Sequence, residues 1–284
     1  MLRTSKISFP GLGIGEFSVE SVAFSIGNFD IAWYAIIITI GIIFAASYTV
    51  YRTKEVGISV DDTIDFVLWT VPSGVIGARL YYVLTTLEQY NSFLDVINIR
   101  NGGLAIYGGI IAGGIAVLIV SIVKKIPFLV MADACTPGII MAQAIGRWGN
   151  FMNGEAFGGK TDWFCRMELN NVLTGYQSTC VHPTFLYESL WNLLGFVLIN
   201  LFYKRKRYDG QVFLMVFGWY GLGRMFIEGL RADSLYTTIF GITFRTSQVL
   251  AAIIFTLCLG VLIYFQIKKP KKELFYNNNP KTTK

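Results

Sequence analysis

Seven apolar stretches constrain the fold of this chain more than any other feature. A helix that crosses a bilayer needs about 20 apolar residues. Of the 284 residues, 54% are hydrophobic and only 15% are charged, whereas about a quarter of a soluble domain is charged. The sequence therefore predicts an all-α integral membrane protein with seven transmembrane helices and a small external cap. The predicted helices are Ile31–Tyr51, Phe66–Leu87, Gly102–Val123, Ile126–Gly146, Pro183–Tyr203, Gln211–Leu230 and Ser247–Ile267.

The basic residues indicate how these helices are oriented. Cytoplasmic loops of membrane proteins carry an excess of Lys and Arg, and here the excess falls on alternate loops. We therefore predict an N-terminus outside and a C-terminus in the cytoplasm, and we interpret the net charge of +6 as a topology signal rather than as a sign of nucleic-acid binding. The basic loops hold Arg52 and Lys54; Lys124 and Lys125; Lys204, Arg205, Lys206 and Arg207; and Lys268, Lys269, Lys271 and Lys272.

The chain is expected to form one seven-helix domain over residues 1–270, followed by a disordered basic tail over 271–284. Met1–Asn28 lacks the continuous apolar core of a cleavable signal peptide, so the first helix is expected to direct insertion. The two longest loops, Thr85–Asn101 and Arg147–His182, are predicted to be external.

Four cysteines are divided between membrane segments and one loop. Cys135 and Cys258 fall in predicted helices, where a small apolar residue is the ordinary interpretation. Cys165 and Cys180 lie in one external loop, where a disulfide is permitted and two free thiols fit equally well. No cluster of His, Cys and carboxylates suggests a metal site, and no cofactor is expected.

The segment Gly146–Gly158 carries the strongest local signal. Its thirteen residues include four glycines, two asparagines, Arg147 and Glu155. This composition predicts a tightly bent backbone whose N–H groups, together with Arg147, bind an anion. At a membrane boundary the available anions are lipid phosphates. A solvated turn between two helices would explain the glycines and asparagines, but not two charged residues so close to an apolar segment.

A second group of charged residues lies in the sixth predicted helix. Arg224, Glu228 and Arg231 are spaced i, i+4 and i+7, so they share one helical face with Tyr220 one turn earlier. A structural ion-paired face is one interpretation. An anion site is the other, because two arginines for one glutamate leave a positive charge uncompensated.

Four further residues stand out. Arg79 and Glu188 are charged residues within predicted helices, where ionisable side chains often have functional roles. Tyr107 lies among glycines that indicate close helix packing, so its hydroxyl is a candidate for facing a cavity. His182, the only histidine, precedes Pro183 at a helix start, and we interpret it as structural rather than catalytic.

Gly146–Gly158 resembles the signature of the bacterial prolipoprotein diacylglyceryl transferases, and matching pieces follow in order over about Phe29–Ile267. The resemblance implies a seven-helix plasma-membrane enzyme. Its substrates would be phosphatidylglycerol and the lipobox cysteine of a preprolipoprotein; it would join them in a thioether and release glycerol phosphate. The matching pieces are Trp33-Tyr34, Gly77-Ala78-Arg79, the run from Gly102 to Gly109, His182–Glu188 and Tyr220–Glu228.

This chemistry suits the residues themselves. A thiol of pKa about 8.5 must lose its proton before it attacks carbon, and the phosphate that leaves gains charge, so fixed cations lower the barrier. Arg147 and Arg224 can bind a phosphate bidentately, and Glu155 and Glu228 would orient them. The predicted catalytic residues are Arg147, Arg224, Glu155, Tyr107 and Tyr220. The predicted phosphatidylglycerol-binding residues are Arg147, Asn150, Asn153, Glu155, Gly158, Tyr34, Arg224 and Glu228.

One position departs from the family. Many members carry histidine where this chain has Tyr107, and that histidine is a favoured candidate for the base. A neutral tyrosine, with an ordinary pKa near 10, accepts a proton poorly at neutral pH. The identity of the base therefore stays open.

Other classes of membrane protein fit less well. A transporter for an anionic solute would often show internal repeats, and none is visible. Another lipid-headgroup transferase remains an alternative, although the metal-dependent kind needs several aspartates on one helical face. An intramembrane protease would need Gly-x-Ser-x-Gly or paired aspartates within its spans, and the predicted spans contain neither.

Overall fold

The computed structural model describes residues 4–27, 29–90, 92–98, 102–232, 236–239, 242–268 and 274. They belong to two compact units: one comprises the chain up to Ser47 and from Cys135 to Glu273, and the other comprises Tyr48–Ala134 with the C-terminal residues. The predicted tail over 271–284 lies outside the described residues apart from position 274.

Seven long helices dominate the part of the chain that the structure describes. They are α1 (Trp33–Glu55), α2 (Val60–Thr85), α4 (Ile106–Lys124), α5 (Phe128–Met152), α6 (Thr184–Tyr203), α7 (Gln211–Ile227) and α8 (Thr246–Lys268); α3 (Phe93–Ile97) is a single short turn.

Within the described residues, six of these helices are long and apolar enough to cross a membrane. The length and apolar composition of these helices therefore indicate an integral membrane protein. The sixth predicted span corresponds to α7, which has 17 residues and continues into a 3-10 turn over Glu228–Leu230. Seven spans and the orientation of the termini stay predictions.

Eight short strands accompany the helices in the described part of the chain, and the sequence analysis missed them. In the first unit, β1 (Thr4–Phe9), β2 (Ile14–Glu20), β5 (Met167–Asn170) and β6 (Thr179–Val181) form an antiparallel sheet in the order β2-β1-β5-β6. One face of this sheet is buried against aromatic side chains from the ends of α5 and α6. That core comprises Ile7, Phe9, Val19, Met167, Leu169, Val181 and Phe185, with Phe151, Met152, Phe157 and Leu186 packed against it.

The other four strands form two hairpins, each leading directly into a long helix. Strands β3 (Val22–Ile26) and β4 (Phe29–Ala32) precede α1, and β7 (Tyr236–Ile239) and β8 (Ile242–Arg245) precede α8.

Helix α5 continues six residues beyond its predicted end at Gly146, so the first half of the predicted loop 146–158 is helical. Gly149 fits because its missing side chain makes room for Tyr34; an added Cβ would lie 2.8 Å from the Tyr34 ring. An added Cβ at Gly146 would lie 3.1 Å from Ile38. Close packing by α1 thus outweighs the low helix propensity of glycine.

In the second unit, α2 and α4 approach each other backbone to backbone. An added Cβ on Gly108 would lie 2.2 Å from the carbonyl oxygen of Gly77, and one on Gly77 would lie 2.7 Å from that of Gly108. Gly108 of the third predicted segment therefore serves helix contact with Gly77, as expected of small residues in membrane helices.

The disulfide hypothesis is wrong for this structure, because Cys165 and Cys180 are both free thiols. Cys165 lies in the turn before β5, where its Sγ contacts the Tyr187 hydroxyl at 3.2 Å. Cys180 lies in β6, where it pairs with Glu168.

Candidate active site

Three helix ends bring charged residues together in the first unit. Arg147 lies near the C-terminal end of α5, and Arg224 lies in the last turn of α7. Glu188 lies in the second turn of α6, near its N-terminal end. The helix dipole favours cations at C-terminal ends and anions at N-terminal ends, so each charge suits its position.

Glu188 is the centre of this group. Its Oε1 accepts hydrogen bonds from Nη1 of Arg224 at 3.3 Å and from Nη1 of Arg231 at 3.2 Å. Its Oε2 forms an ion pair with Nη2 of Arg147. A single carboxylate, 5% exposed, therefore joins three arginines that come from separate parts of the chain.

Glu228 provides the second carboxylate and is 1% exposed. Its Oε2 lies 2.7 Å from Nη2 of Arg224 and 3.9 Å from Nε of Arg231. Buried charges are stable only when they are paired. The five residues Arg147, Arg224, Arg231, Glu188 and Glu228, which we call the arginine cluster, carry a formal charge of +1.

Glu155 acts on this cluster through an amide. Its Oε1 accepts hydrogen bonds from Nδ2 of Asn150 at 3.2 Å and from Nδ2 of Asn153 at 2.9 Å. The Oδ1 of Asn150 in turn accepts a long hydrogen bond of 3.5 Å from Nη1 of Arg147. Glu155 thus fixes the orientation of the Asn150 amide, which presents its oxygen to Arg147.

The turn after α5 is held by the four-stranded sheet. Gly154 has a φ of +59°, and an added Cβ there would lie 2.2 Å from Oγ of Ser5. Asn171 donates a hydrogen bond of 2.8 Å from its Nδ2 to the Gly154 carbonyl. The bent backbone predicted for this segment is confirmed for this second half, and its anchor is the sheet.

Gly158 lies where three chain segments meet. Its N–H donates to the His182 carbonyl at 2.9 Å, and it forms a β-bridge with Arg231. An added Cβ would lie 2.6 Å from Cβ of His182 and 2.7 Å from the Leu230 carbonyl oxygen. Glycine is required here by close packing beside Arg231, and its predicted contact with the lipid headgroup stays a prediction.

His182 fits the structural role predicted for it. Its Nδ1 lies 3.3 Å from the hydroxyl of Tyr187, which also contacts Sγ of Cys165 at 3.2 Å. Burial lowers the pKa of His182, so the neutral imidazole is favoured. The helix itself begins one residue after Pro183, which occupies the N-cap rather than the predicted first turn.

A pair of tryptophans fixes α6 against α7 beside the cluster. Nε1 of Trp191 donates to the Trp219 carbonyl at 3.0 Å, and Nε1 of Trp219 donates to the Trp191 carbonyl at 2.9 Å. The two rings stack with centroids 4.4 Å apart. Each indole covers a glycine of the facing helix, since an added Cβ at Gly195 or Gly223 would lie 2.3 or 2.2 Å from an indole nitrogen. This arrangement sets Glu188 opposite Arg224.

Two of the predicted tyrosines belong to this unit. Tyr220 lines a cavity of about 10 Å³ together with Glu188, Arg224 and Trp191, and its catalytic role stays a prediction. Tyr34 lies in the first turn of α1 and packs against Gly149, two residues after Arg147.

Tyr107 belongs to the second unit. It is the second residue of α4, it is partly exposed, and its ring centroid lies 6.4 Å from that of Tyr81. Its predicted catalytic role stays a prediction.

Arg79, also in the second unit, donates hydrogen bonds to main-chain carbonyls and lies 5.3 Å from the centre of the Tyr90 ring. Its Nε donates to Val96 at 2.7 Å, and its two Nη atoms donate four more bonds of 2.7–3.0 Å. All five N–H donors of the guanidinium are therefore used, and within the described residues no carboxylate pairs with it. The other four carbonyls belong to Asp95, Asn98, Gly102 and Gly103.

This arrangement gives Arg79 the role of a loop anchor. Gly102 and Gly103, with φ of +86° and +81°, turn their carbonyls toward the guanidinium. Beside it lies a cavity of about 240 Å³, lined by Tyr82, Tyr90 and Asp95 among others.

The predicted site residues did not include Glu188 and Arg231. Both carried usable signals: Arg231 shares the face of Arg224 and Glu228, and Glu188 is a carboxylate in an apolar helix. Only the structure shows that one carboxylate serves three arginines, because that depends on three helices ending at one place.

The chain is similar to known proteins over most of its length. The sequence profile described as prolipoprotein diacylglyceryl transferase matches residues 21–264. A relative from Clostridium perfringens named phosphatidylglycerol–prolipoprotein diacylglyceryl transferase 1 is 44% identical over 91% of this chain and 100% of its own length. Relatives with that name, without the number, are 40% identical in Enterococcus faecalis (94% of this chain, 96% of theirs) and 38% in Listeria welshimeri (90% and 94%). The chain belongs to the prolipoprotein diacylglyceryl transferase family.

Proposed function

We propose that this protein transfers the diacylglyceryl group of phosphatidylglycerol to the lipobox cysteine of a preprolipoprotein in the bacterial plasma membrane. The observation that carries the proposal is the arginine cluster, in which Glu188 and Glu228 hold three arginines while leaving an excess positive charge. The names of the relatives support the substrates.

In the reaction, the cysteine thiolate attacks the glyceryl carbon that bears the phosphate ester. A carbon–sulfur bond forms, the carbon–oxygen bond to phosphate breaks, and glycerol phosphate leaves with the electron pair. The leaving phosphate gains negative charge, so preorganised cations stabilise the transition state more than the ground state.

The arginine cluster is suited to bind that phosphate. Each guanidinium has five N–H donors, and the contacts with Glu188 and Glu228 use only some of them. Arg147 is the most accessible of the three, with 23% of its side chain exposed against 17% for Arg224 and 10% for Arg231. We therefore assign Arg147 and Arg224 to the phosphate and Arg231 to holding the two carboxylates in place.

The amide groups beside Arg147 suit the glycerol headgroup. Asn150 and Asn153 both direct amide N–H groups toward Glu155, and this arrangement presents several donors and acceptors to hydroxyl groups. We assign Asn150, Asn153, Glu155 and Tyr34 to headgroup recognition, with Gly158 supporting the turn.

The topology proposed from the basic loops is compatible with this site. With the N-terminus outside, the C-terminal ends of α5 and α7 and the N-terminal end of α6 all face the outer side of the membrane. The cluster and the four-stranded sheet would then lie at the outer surface, where a translocated lipobox cysteine becomes accessible.

We propose Tyr107 and Tyr220 as catalytic residues and assign the base to neither of them, because a neutral tyrosine accepts a proton poorly at neutral pH. Tyr107→His should be tolerated or should raise turnover, because histidine titrates near neutrality. Tyr107→Phe should lower turnover only if the hydroxyl takes part. Turnover of both variants as a function of pH separates these roles.

The function is tested with purified protein in vesicles that contain a lipobox peptide. With phosphatidylglycerol vesicles, mass spectrometry should detect a diacylglyceryl thioether on the peptide cysteine. With phosphatidylethanolamine in place of phosphatidylglycerol, the product should be far less abundant. A peptide with serine in place of the cysteine provides the control. Equal product from both lipids would contradict the headgroup assignment, and the absence of product from phosphatidylglycerol would contradict the proposed function.

A further inference from the structure

The hairpin formed by β3 and β4 has one face made only of large apolar side chains. Phe24 pairs with Ile31, and Ile26 pairs with Phe29. Paired residues and residues two apart lie on the same face of a hairpin, so these four side chains lie together. Phe24, Ile26 and Phe29 are 51%, 62% and 58% exposed.

The opposite face of the hairpin is polar. Ser25 pairs with Asp30, and Oγ of Ser25 donates a hydrogen bond of 2.6 Å to Oδ1 of Asp30. The hairpin is therefore amphipathic, with its charge confined to the face that does not carry Phe24 and Ile26.

The hairpin is joined rigidly to a membrane helix. Strand β4 ends at Ala32, and α1 begins at the next residue, Trp33. The Trp33 N–H donates to the Ser21 carbonyl at 3.0 Å, which ties the base of the hairpin to the first turn of the helix. Because α1 is one of the helices suited to cross the bilayer, the hairpin must lie where that helix leaves it.

We propose that this hairpin lies on the membrane, with Phe24, Ile26, Phe29 and Ile31 immersed among the lipid acyl chains near the headgroups. An isolated two-stranded hairpin is only marginally stable in water, so its apolar face needs a cover. Because the hairpin is continuous with α1, the bilayer is next to it and can cover this face. The face carries no charge, so contact with lipid is favourable. Trp33 and Tyr34, at the start of α1, are residues typical of the membrane interface. This lipid contact does not depend on the transferase activity.

The test uses nitroxide labels on the full chain after replacement of its four cysteines by serine. Single labels are introduced by Phe24→Cys and Ile26→Cys on the apolar face and by Ser25→Cys and Asp30→Cys on the polar face. The proteins are reconstituted in vesicles of phosphatidylglycerol and phosphatidylcholine. Power-saturation spectroscopy then measures collisions with oxygen, which dissolves in lipid, and with a water-soluble nickel chelate. Lys6→Cys, at an exposed side chain of β1, and Leu257→Cys, at an exposed side chain of α8, provide the water and lipid references.

Labels at 24 and 26 should lose nickel collisions and gain oxygen collisions relative to labels at 25 and 30, giving an alternation of period two along β3. Nickel access at 24 and 26 equal to that at position 6 would overturn the proposal. Spin–spin broadening that disappears on dilution with unlabelled protein would place a second copy on this face instead. Protection that appears only when a lipobox peptide is added would make the face a peptide site. A variant that aggregates in size-exclusion chromatography is replaced by Phe29→Cys or Ile31→Cys, which report on the same face.

Discussion

The arginine cluster and Arg79 hold their guanidinium groups in two different ways. In the arginine cluster, Arg147, Arg224 and Arg231 pair with carboxylates. All five N–H groups of Arg79 donate to main-chain carbonyls instead, and its guanidinium lies 5.3 Å from the centre of the Tyr90 ring. A carboxylate can share a guanidinium with an incoming phosphate when N–H donors remain, whereas a guanidinium whose five N–H groups all bind main chain has no donor to offer. This difference is why we assign Arg147 and Arg224 to the phosphate and Arg79 to the loop.

The largest expected effect follows from changing the arginines of the cluster. Arg147→Lys or Arg224→Lys keeps the charge but removes the planar fork that binds phosphate bidentately. Each should lower kcat/KM by about 2.7–4 kcal/mol of transition-state stabilisation, the loss typical of one oxyanion donor. Turnover is measured by mass spectrometry at equal protein abundance in membranes. The matched control is Arg166→Lys, because Arg166 donates long hydrogen bonds of 3.4 Å to the carbonyls of Asp162 and Trp163. Near-wild-type turnover in both cluster variants would contradict the proposed phosphate site.

The equivalent change at Arg79 should affect the fold instead. Lysine has three N–H donors, so Arg79→Lys loses at least two of five hydrogen bonds and destabilises the loop by about 1–3 kcal/mol. Limited proteolysis of the protein in detergent should detect faster cleavage between residues 88 and 104, and KM for phosphatidylglycerol should stay unchanged. If KM instead rose while cleavage stayed slow, Arg79 would belong with the ligand-binding arginines.

A smaller effect is expected at the tryptophan pair beside the cluster. Trp191→Phe keeps an aromatic ring but removes one indole N–H, at a cost of about 1 kcal/mol. Because that bond helps to hold Glu188 opposite Arg224, kcat should fall while KM changes little. The double variant with Trp219→Phe measures the coupling between the two bonds. Strictly additive effects on kcat would show that the two bonds act independently.

The smallest effect concerns Glu168, a carboxylate of the four-stranded sheet. Hydrogen bonds from Ser178 and Ser8 lower the pKa of Glu168 below its usual 4.5. A carboxyl group whose pKa is lower in the folded state stabilises the fold above its unfolded pKa and loses that contribution as pH falls through the folded pKa. The temperature at the midpoint of thermal unfolding should therefore decrease as the pH is lowered below 4.5. Glu168→Gln should make this temperature less dependent on pH. An identical pH dependence in the variant would exclude Glu168 as a contributor.

The sequence predicted the helices and most charged site residues because both leave local signals. Apolar runs mark the helices, and Arg224, Glu228 and Arg231 mark one face by their spacing. Strands β1 and β5 gave no such signal, since they pair across more than 150 residues of chain and are only six and four residues long. The continuation of α5 through Gly149 was missed for a related reason: the residue that makes glycine favourable there, Tyr34, lies in another helix.

Glu188 also affects the direction in which the helices insert into the membrane. Its three arginine partners follow from α5 and α7 presenting their C-terminal ends where α6 presents its N-terminal end. If one of these helices inserted in the reverse direction, its charged end would face the other side of the bilayer. A carboxylate or guanidinium would then be left without partners near hydrocarbon, at a cost of several kcal/mol. The cluster therefore destabilises molecules in which one of these helices is inserted in the wrong direction. It favours the single insertion pattern in which all five charges meet.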